Sequence, residues 1–81
     1  MTLLYFAWVR QKIGKSEEHL TPKVEDVAAL IAHLKSLGPG YADAFADLSR
    51  IRVAVNQRHA GPDAKIAADD EIAFFPPVTG G

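Results

Sequence analysis

The residues best equipped for chemistry stand at the C-terminal end of the sequence, where Val78, Thr79, Gly80 and Gly81 follow two prolines. Glycine packs nothing and costs more backbone entropy to order than any other residue. A Gly-Gly end is therefore hard to explain as a structural element. Its use is geometric, because a segment without Cβ atoms can lie extended in a channel too narrow for side chains. Threaded in this way, Val78, Thr79 and Gly80 would deliver the terminal carboxylate of Gly81, which we expect to be the reactive group.

The remaining candidates are weaker. His19, His33 and His59 fall on separate segments without the HxxxH-type spacing that brings ligands to one metal ion. Asp69, Asp70 and Glu71 lack the alternating oxygen ligands of a calcium loop and read as a solvated turn. Gly38, Pro39 and Gly40 are followed by no lysine and do not make a phosphate-binding loop. Ser16, Ser36 and Ser49 have no nucleophile context. The sequence has no cysteine, which removes disulfides, thiolate metal sites and cysteine nucleophiles. We expect no bound metal.

With 81 residues the chain makes one small domain, burying about 60–65% of the surface its unfolded form exposes. A hydrophobic fraction of 48% and a charged fraction of 23% are those of a folded globule. Net charge is −1, against the basic stripe of a nucleic-acid binder. Arg50, Arg52 and Arg58 lie close in sequence but read as an ordinary solvated face. The start, MTLLYFAWVRQK, runs apolar then basic, the wrong order for a signal peptide. Its apolar run is too short to span a membrane. We expect a cytoplasmic protein that meets neither membrane nor nucleic acid.

The elements that must position the tail follow from periodicity. Residues 3–9, LLYFAWV, form an apolar, aromatic run of strand length. Residues 10–14 read as a link of about one helical turn ending at Gly14, and residues 15–20 as a charged edge strand returning beside the first. A helix is predicted over residues 22–37, with Thr21 as N-cap and Pro22 at its first position. Val24, Val27, Leu30, Ile31 and Leu34 give it one apolar stripe, and Gly38 and Pro39 end it. Residues 41–48 read as a second short helix with Tyr41, Phe45 and Leu48 on one face. Residues 51–55 alternate as a half-buried strand, Asn56 and Gln57 form a hairpin turn, and residues 58–60 begin the return. The last strand is residues 72–75, with Ile72 and Phe74 on one face and Ala73 and Phe75 on the other. Pro76 and Pro77 stiffen the exit. This order suits an α+β domain, a mixed sheet packed on one main helix, with its first and last strands paired in parallel at the centre. Residues 1–75 form the domain and residues 76–81 an extended tail.

Three segments carry a family resemblance: LLYFAWVRQKIG, IRVAVNQ and DDEIAFFPPVTGG. In order and spacing they resemble the small, sulfur-carrying subunit of molybdopterin synthase. The resemblance implies a β-grasp, or ubiquitin-like, fold and a carrier function. It implies that a partner adenylating enzyme uses ATP to convert the Gly81 carboxylate into an acyl-adenylate. A sulfur donor protein then replaces AMP to leave a thiocarboxylate. It further implies docking into the large catalytic subunit, as a heterotetramer, where sulfur passes to a cyclic pyranopterin. On that reading the chain holds no cofactor and no catalytic side chain of its own.

Docking also gives a use to apolar residues that the helix would leave uncovered. Phe6 and Phe75 are expected on the open face of the sheet, as an apolar patch for the partners. His59 is expected beside them, at a position that is more often apolar in such carriers. The tail alone leaves other customers open, namely thiamin synthesis, tRNA thiolation, conjugation to proteins as a ubiquitin-like modifier, or an unreactive binding module.

Overall fold

The computed structural model describes residues 1–77. Five strands form one mixed sheet in the order β2-β1-β5-β3-β4. They are β1 (Thr2–Tyr5), β2 (Glu17–His19), β3 (Arg52–Val55), β4 (Arg58–Ala60) and β5 (Glu71–Phe75). The helices are α1 (Ala7–Ile13), α2 (Val27–Lys35) and α3 (Pro39–Ala44), with a 3-10 turn at Leu48–Arg50. β1 and β5 pair in parallel at the centre, and both outer hairpins are antiparallel. This is the expected β-grasp arrangement.

Alternation sets the two faces of the sheet. Leu3, Tyr5, Val53, Ile72 and Phe74 point to one side and are buried there with Val27, Leu30, Ile31 and Leu34 of α2. Phe74 stands at the centre of the core. Its ring stacks on Tyr5 at 6.0 Å and meets Phe45 edge-on at 5.0 Å. Each such pair adds about 0.5–1.5 kcal/mol beyond area burial.

The run at residues 3–9 is not one strand. β1 stops at Tyr5, and α1 begins two residues later. Phe6 donates one more sheet-like hydrogen bond to Phe74 O, at 3.1 Å, and its own carbonyl then accepts from Val9 N. Ala7 has φ of 52°, a left-handed value that turns the chain off the sheet. The run is apolar throughout because α1 buries Val9 completely and packs Trp8 against the same core. The one-turn link over residues 10–14 is thus the second half of a helix. Gly14 does end it, with φ of 89° and its N–H bonded to Arg10 O.

The main helix begins later than its composition suggests. Its N-cap is Asp26, whose Oδ1 accepts from Ala29 N at 2.8 Å, so Thr21 and Pro22 lie outside it. Val27 N and Ala28 N donate to Ala64 O and Pro62 O, and Ile66 N donates to Glu25 O. Those bonds to a distant segment hold residues 25–28 in place and set where the helix can start. The apolar stripe survives except for Val24, which sits half-buried before the helix.

The second helix is displaced in the same manner. α2 ends at Lys35 with Ser36 as its cap, short of Gly38 and Pro39; Pro39 instead opens α3, and Leu48 lies beyond α3 in the 3-10 turn, 50% exposed. The Asp47 carboxylate accepts from Ser49 N and Ser49 Oγ, which starts that turn. α3 packs closely on α1, and a Cβ built on Gly40 would lie 2.5 Å from Lys12 O.

The candidate docking face and tail exit

β5 is the central strand, and its sequence EIAFF alternates between the two faces. Ile72 and Phe74 are fully buried, while Ala73 and Phe75 are half-buried on the opposite, uncovered face. Pro76 and Pro77 follow at once. Proline has no N–H to extend a ladder, so pairing stops there. Val78, Thr79, Gly80 and Gly81, expected to thread a partner and carry the reactive carboxylate, lie outside the described residues.

Strand register builds the uncovered face. One row across all five strands reads Glu17, Leu4, Ala73, Ala54 and His59. The next row, at the end from which the tail departs, pairs Phe75 with Arg52. Phe6 continues β1 beside Phe75 and is 49% exposed. The His59 ring meets Phe75 edge-on, with centroids 5.6 Å apart. Ala54, on the strand between them, is too small to hold the two rings apart. Phe6, Phe75 and His59 therefore come together on one face at the root of the tail. Phe6 does so from the cap of α1 and not from within a strand.

The sequence put Ala73 on the face of Phe75 but gave Leu4, Ala54 and Ala73 no part in the patch. They floor this patch with small or aliphatic side chains, and the period-two alternation of β3 and β5 was the signal for them. Trp8 shares the odd-even phase of Leu4 and Phe6 but sits on α1, where the Arg50 guanidinium lies 5.3 Å over its ring. No segment of sequence pointed to the cluster around Glu18 on the other face. There Tyr5 and Tyr41 both donate to Glu18 Oε2, at 2.7 and 2.8 Å, and Lys15 reaches Oε1 at 3.2 Å.

The described residues hold no group of three or more His, Asp or Glu able to bind a metal ion, and no helix long and apolar enough to cross a membrane. The three histidines stand apart, with His19 bonded to Thr2 and Glu17 on the far edge strand.

A β-grasp domain that presents an apolar sheet face where its last strand exits has the architecture of a ubiquitin-like carrier. The chain matches the ThiS family over residues 3–81. It is also 37% identical, over 79 residues, to the molybdopterin synthase sulfur carrier subunit of Escherichia coli, covering 98% of this chain and 96% of that one. The chain belongs to the ThiS family. Among solved structures, SAMP1 from Haloferax volcanii superposes with a TM-score of 0.79 at 28% identity, covering 100% of this chain and 98% of that one. Subunit 1 of the Helicobacter pylori molybdopterin-converting factor, solved in complex with subunit 2, superposes at 0.65. At 21% identity, covering 99% of this chain and 96% of the other, that likeness is one of fold.

Proposed function

We propose that this chain carries sulfur on Gly81 for molybdopterin synthesis. The observation that carries the reading is the 37% identity to a molybdopterin synthase sulfur carrier subunit across 98% of the chain. The family match extends to residue 81, so the terminal glycine is inside the shared pattern.

A carboxylate is a poor electrophile, being anionic and lacking a good leaving group. An adenylating enzyme changes that by joining a Gly81 oxygen to the α-phosphate of ATP and releasing pyrophosphate. A sulfur donor then displaces AMP from the acyl carbon, and a thiocarboxylate remains. That soft nucleophile is offered to the pyranopterin in the large subunit, where the catalytic site lies. The carrier supplies the reactive group and a docking surface, here Phe6, Phe75 and His59, and binds no cofactor itself. Seating the tail raises the local concentration of the thiocarboxylate at its target.

The test is reconstitution. Thiocarboxylated chain, mixed with the large subunit and the cyclic pyranopterin, should yield molybdopterin; absence of product would overturn the reading. The fold match to SAMP1, a small archaeal modifier protein, favours a second reading as a protein modifier. Mass spectrometry of cellular protein separates the two. Oxygen-to-sulfur exchange at Gly81 marks a carrier, and Gly-Gly remnants on lysines of other proteins mark a modifier.

A further inference from the structure

The C-terminal end of β5 is crossed by a contact that the docking face does not use. β5 lies between β1 and β3, parallel to the first and antiparallel to the second. The segment after β1 and the segment before β3 therefore flank the point where the tail departs. Trp8 stands on the first of these, in the opening turn of α1, and Arg50 on the second, at the end of the 3-10 turn. The Arg50 guanidinium lies 5.3 Å over the Trp8 ring. Both residues line one groove with Asp43 and the buried Ala44 of α3, which puts their contact on the helix side of the sheet. It must therefore pass behind the line of β5. Continuing the register from Phe75 and Arg52 brings Pro77 level with Arg50. Pro76 and Pro77 are both half-buried, although strand pairing has ended.

The root of the tail is thus bounded on two sides. Ring and guanidinium close the helix side, while Phe6 and Phe75 stand on the open face. The fixed φ of two successive prolines narrows the remaining freedom. Gly81 lies six residues beyond Phe75, about 20 Å away along an extended chain. At that reach a swing of about 20° at the root moves the carboxylate by about 7 Å. Reacting atoms must come within about 3–3.5 Å of one another. A wall that limits the swing raises the fraction of docked carriers whose carboxylate can reach its target. As an exposed cation–π pair the contact adds little to the fold itself.

We infer that Trp8 and Arg50 are positioning residues for the chemistry of Gly81, forming a clasp behind β5 that fixes the direction in which the tail leaves the sheet. This role rests on the carrier reading above and adds how the chain aims its carboxylate. The clasp touches no reacting group and acts through Pro76 and Pro77. Its signature is a loss of reaction rate with docking intact, because Phe6 and Phe75 lie on the other side of the sheet.

The test is single-turnover pyrophosphate release by the adenylating enzyme with ATP, across a range of enzyme concentration in excess of carrier. This separates the maximal rate from the half-saturating concentration. The carriers are wild type, Arg50→Ala, Arg50→Lys, Trp8→Leu and the pair Trp8→Leu/Arg50→Ala. Trp8→Leu keeps an apolar side chain against the core. Arg50 makes no ion pair among the described residues, so Arg50→Ala keeps the test valid if the Trp8 variant folds poorly. We expect Arg50→Ala and Trp8→Leu each to lower the maximal rate about three- to fivefold, with half-saturation nearly unchanged. Arg50→Lys should restore most of the rate, and the double variant should be no slower than the worse single one. An unchanged maximal rate in Arg50→Ala would overturn the inference. So would a loss confined to half-saturation, or additive losses in the double variant, since either makes Arg50 a direct partner contact. If wild type is adenylated and the clasp variants match it, the inference fails and the carrier reading stands. If wild type is not adenylated, both fall.

Discussion

The Tyr5 hydroxyl donates a 2.7 Å hydrogen bond to the Glu18 carboxylate, joining the buried face of β1 to the edge strand β2. Tyr41 of α3 donates to the same oxygen at 2.8 Å, so one carboxylate ties a helix and two strands together. Burial acts to raise the Glu18 pKa, but the hydrogen bonds from Tyr5, Tyr41 and Lys15 together outweigh it and hold the carboxyl below its ordinary value. Burial first, and then Glu18, pushes the Tyr5 phenol far above its ordinary value, so it remains a donor.

Glu18→Ala should lower stability by about 1–3 kcal/mol, since it leaves the buried Tyr5 hydroxyl without its acceptor. Glu18→Gln keeps an acceptor and should cost less. The pH dependence follows from the lowered value. A carboxyl whose pKa is depressed by folding contributes stability above its unfolded value, ordinarily 4.5, and loses it as pH falls through the folded value. Asp47 and Asp70, also lowered, act with the same sign. The Glu18 contribution is thus read as a difference: in urea melts, wild type should lose more stability than Glu18→Gln between neutral pH and pH ~3. Parallel acid profiles would count against the cluster.

Gly40→Ala should destabilise by about 1–3 kcal/mol. The new Cβ would stand 2.5 Å from the backbone carbonyl of Lys12, and neither α1 nor α3 can yield without repacking. Thermal melts check this, and an unchanged midpoint would show that the two helices are free to separate.

Gln57→Gly should stabilise the fold by about 0.5–1 kcal/mol. Asn56 and Gln57 have φ of 52° and 70°, the left-handed pair that a two-residue hairpin turn requires. Asparagine tolerates that region and glutamine does so less well. Gln57→Val should act in the opposite direction, and urea midpoints of the two variants report the sign.

Phe75→Ala should weaken binding to the large subunit by about 2 kcal/mol or more, as a central aromatic contact does. Its cost in stability should be smaller, because the ring is only half-buried on the uncovered face. Comparing Kd with the unfolding free energy decides the matter, and a larger loss of stability than of affinity would make Phe75 part of the core.

Gly81→Ala, or one residue added after Gly81, should abolish thiocarboxylate formation while leaving the melting temperature nearly unchanged. Intact mass after incubation with the adenylating enzyme, ATP and sulfur donor reads the first, and calorimetry the second. Sulfur loading that survives the added residue would defeat every reading based on the carboxylate.

The sequence by itself determined whatever depends on neighbours along the chain. The alternation in EIAFF fixed which side of β5 Ile72 and Phe74 would take, because strand side chains alternate whatever the partner strand is. Asn56-Gln57 between two short alternating runs was enough for the hairpin, and the terminal glycines and their context for the carrier family. Tertiary structure decided the limits of the elements and the composition of the face. An apolar run such as LLYFAWV is equally satisfied as strand or buried helix, and only the left-handed turn at Ala7 and the burial of Val9 by α1 separate the two. The start of α2 depends on backbone bonds to residues 62–66, far along the chain, which no local propensity encodes. The meeting of His59 with Phe75 depends on the register of three strands and on the small side chain of Ala54 between them. That contact exists only once the sheet has formed.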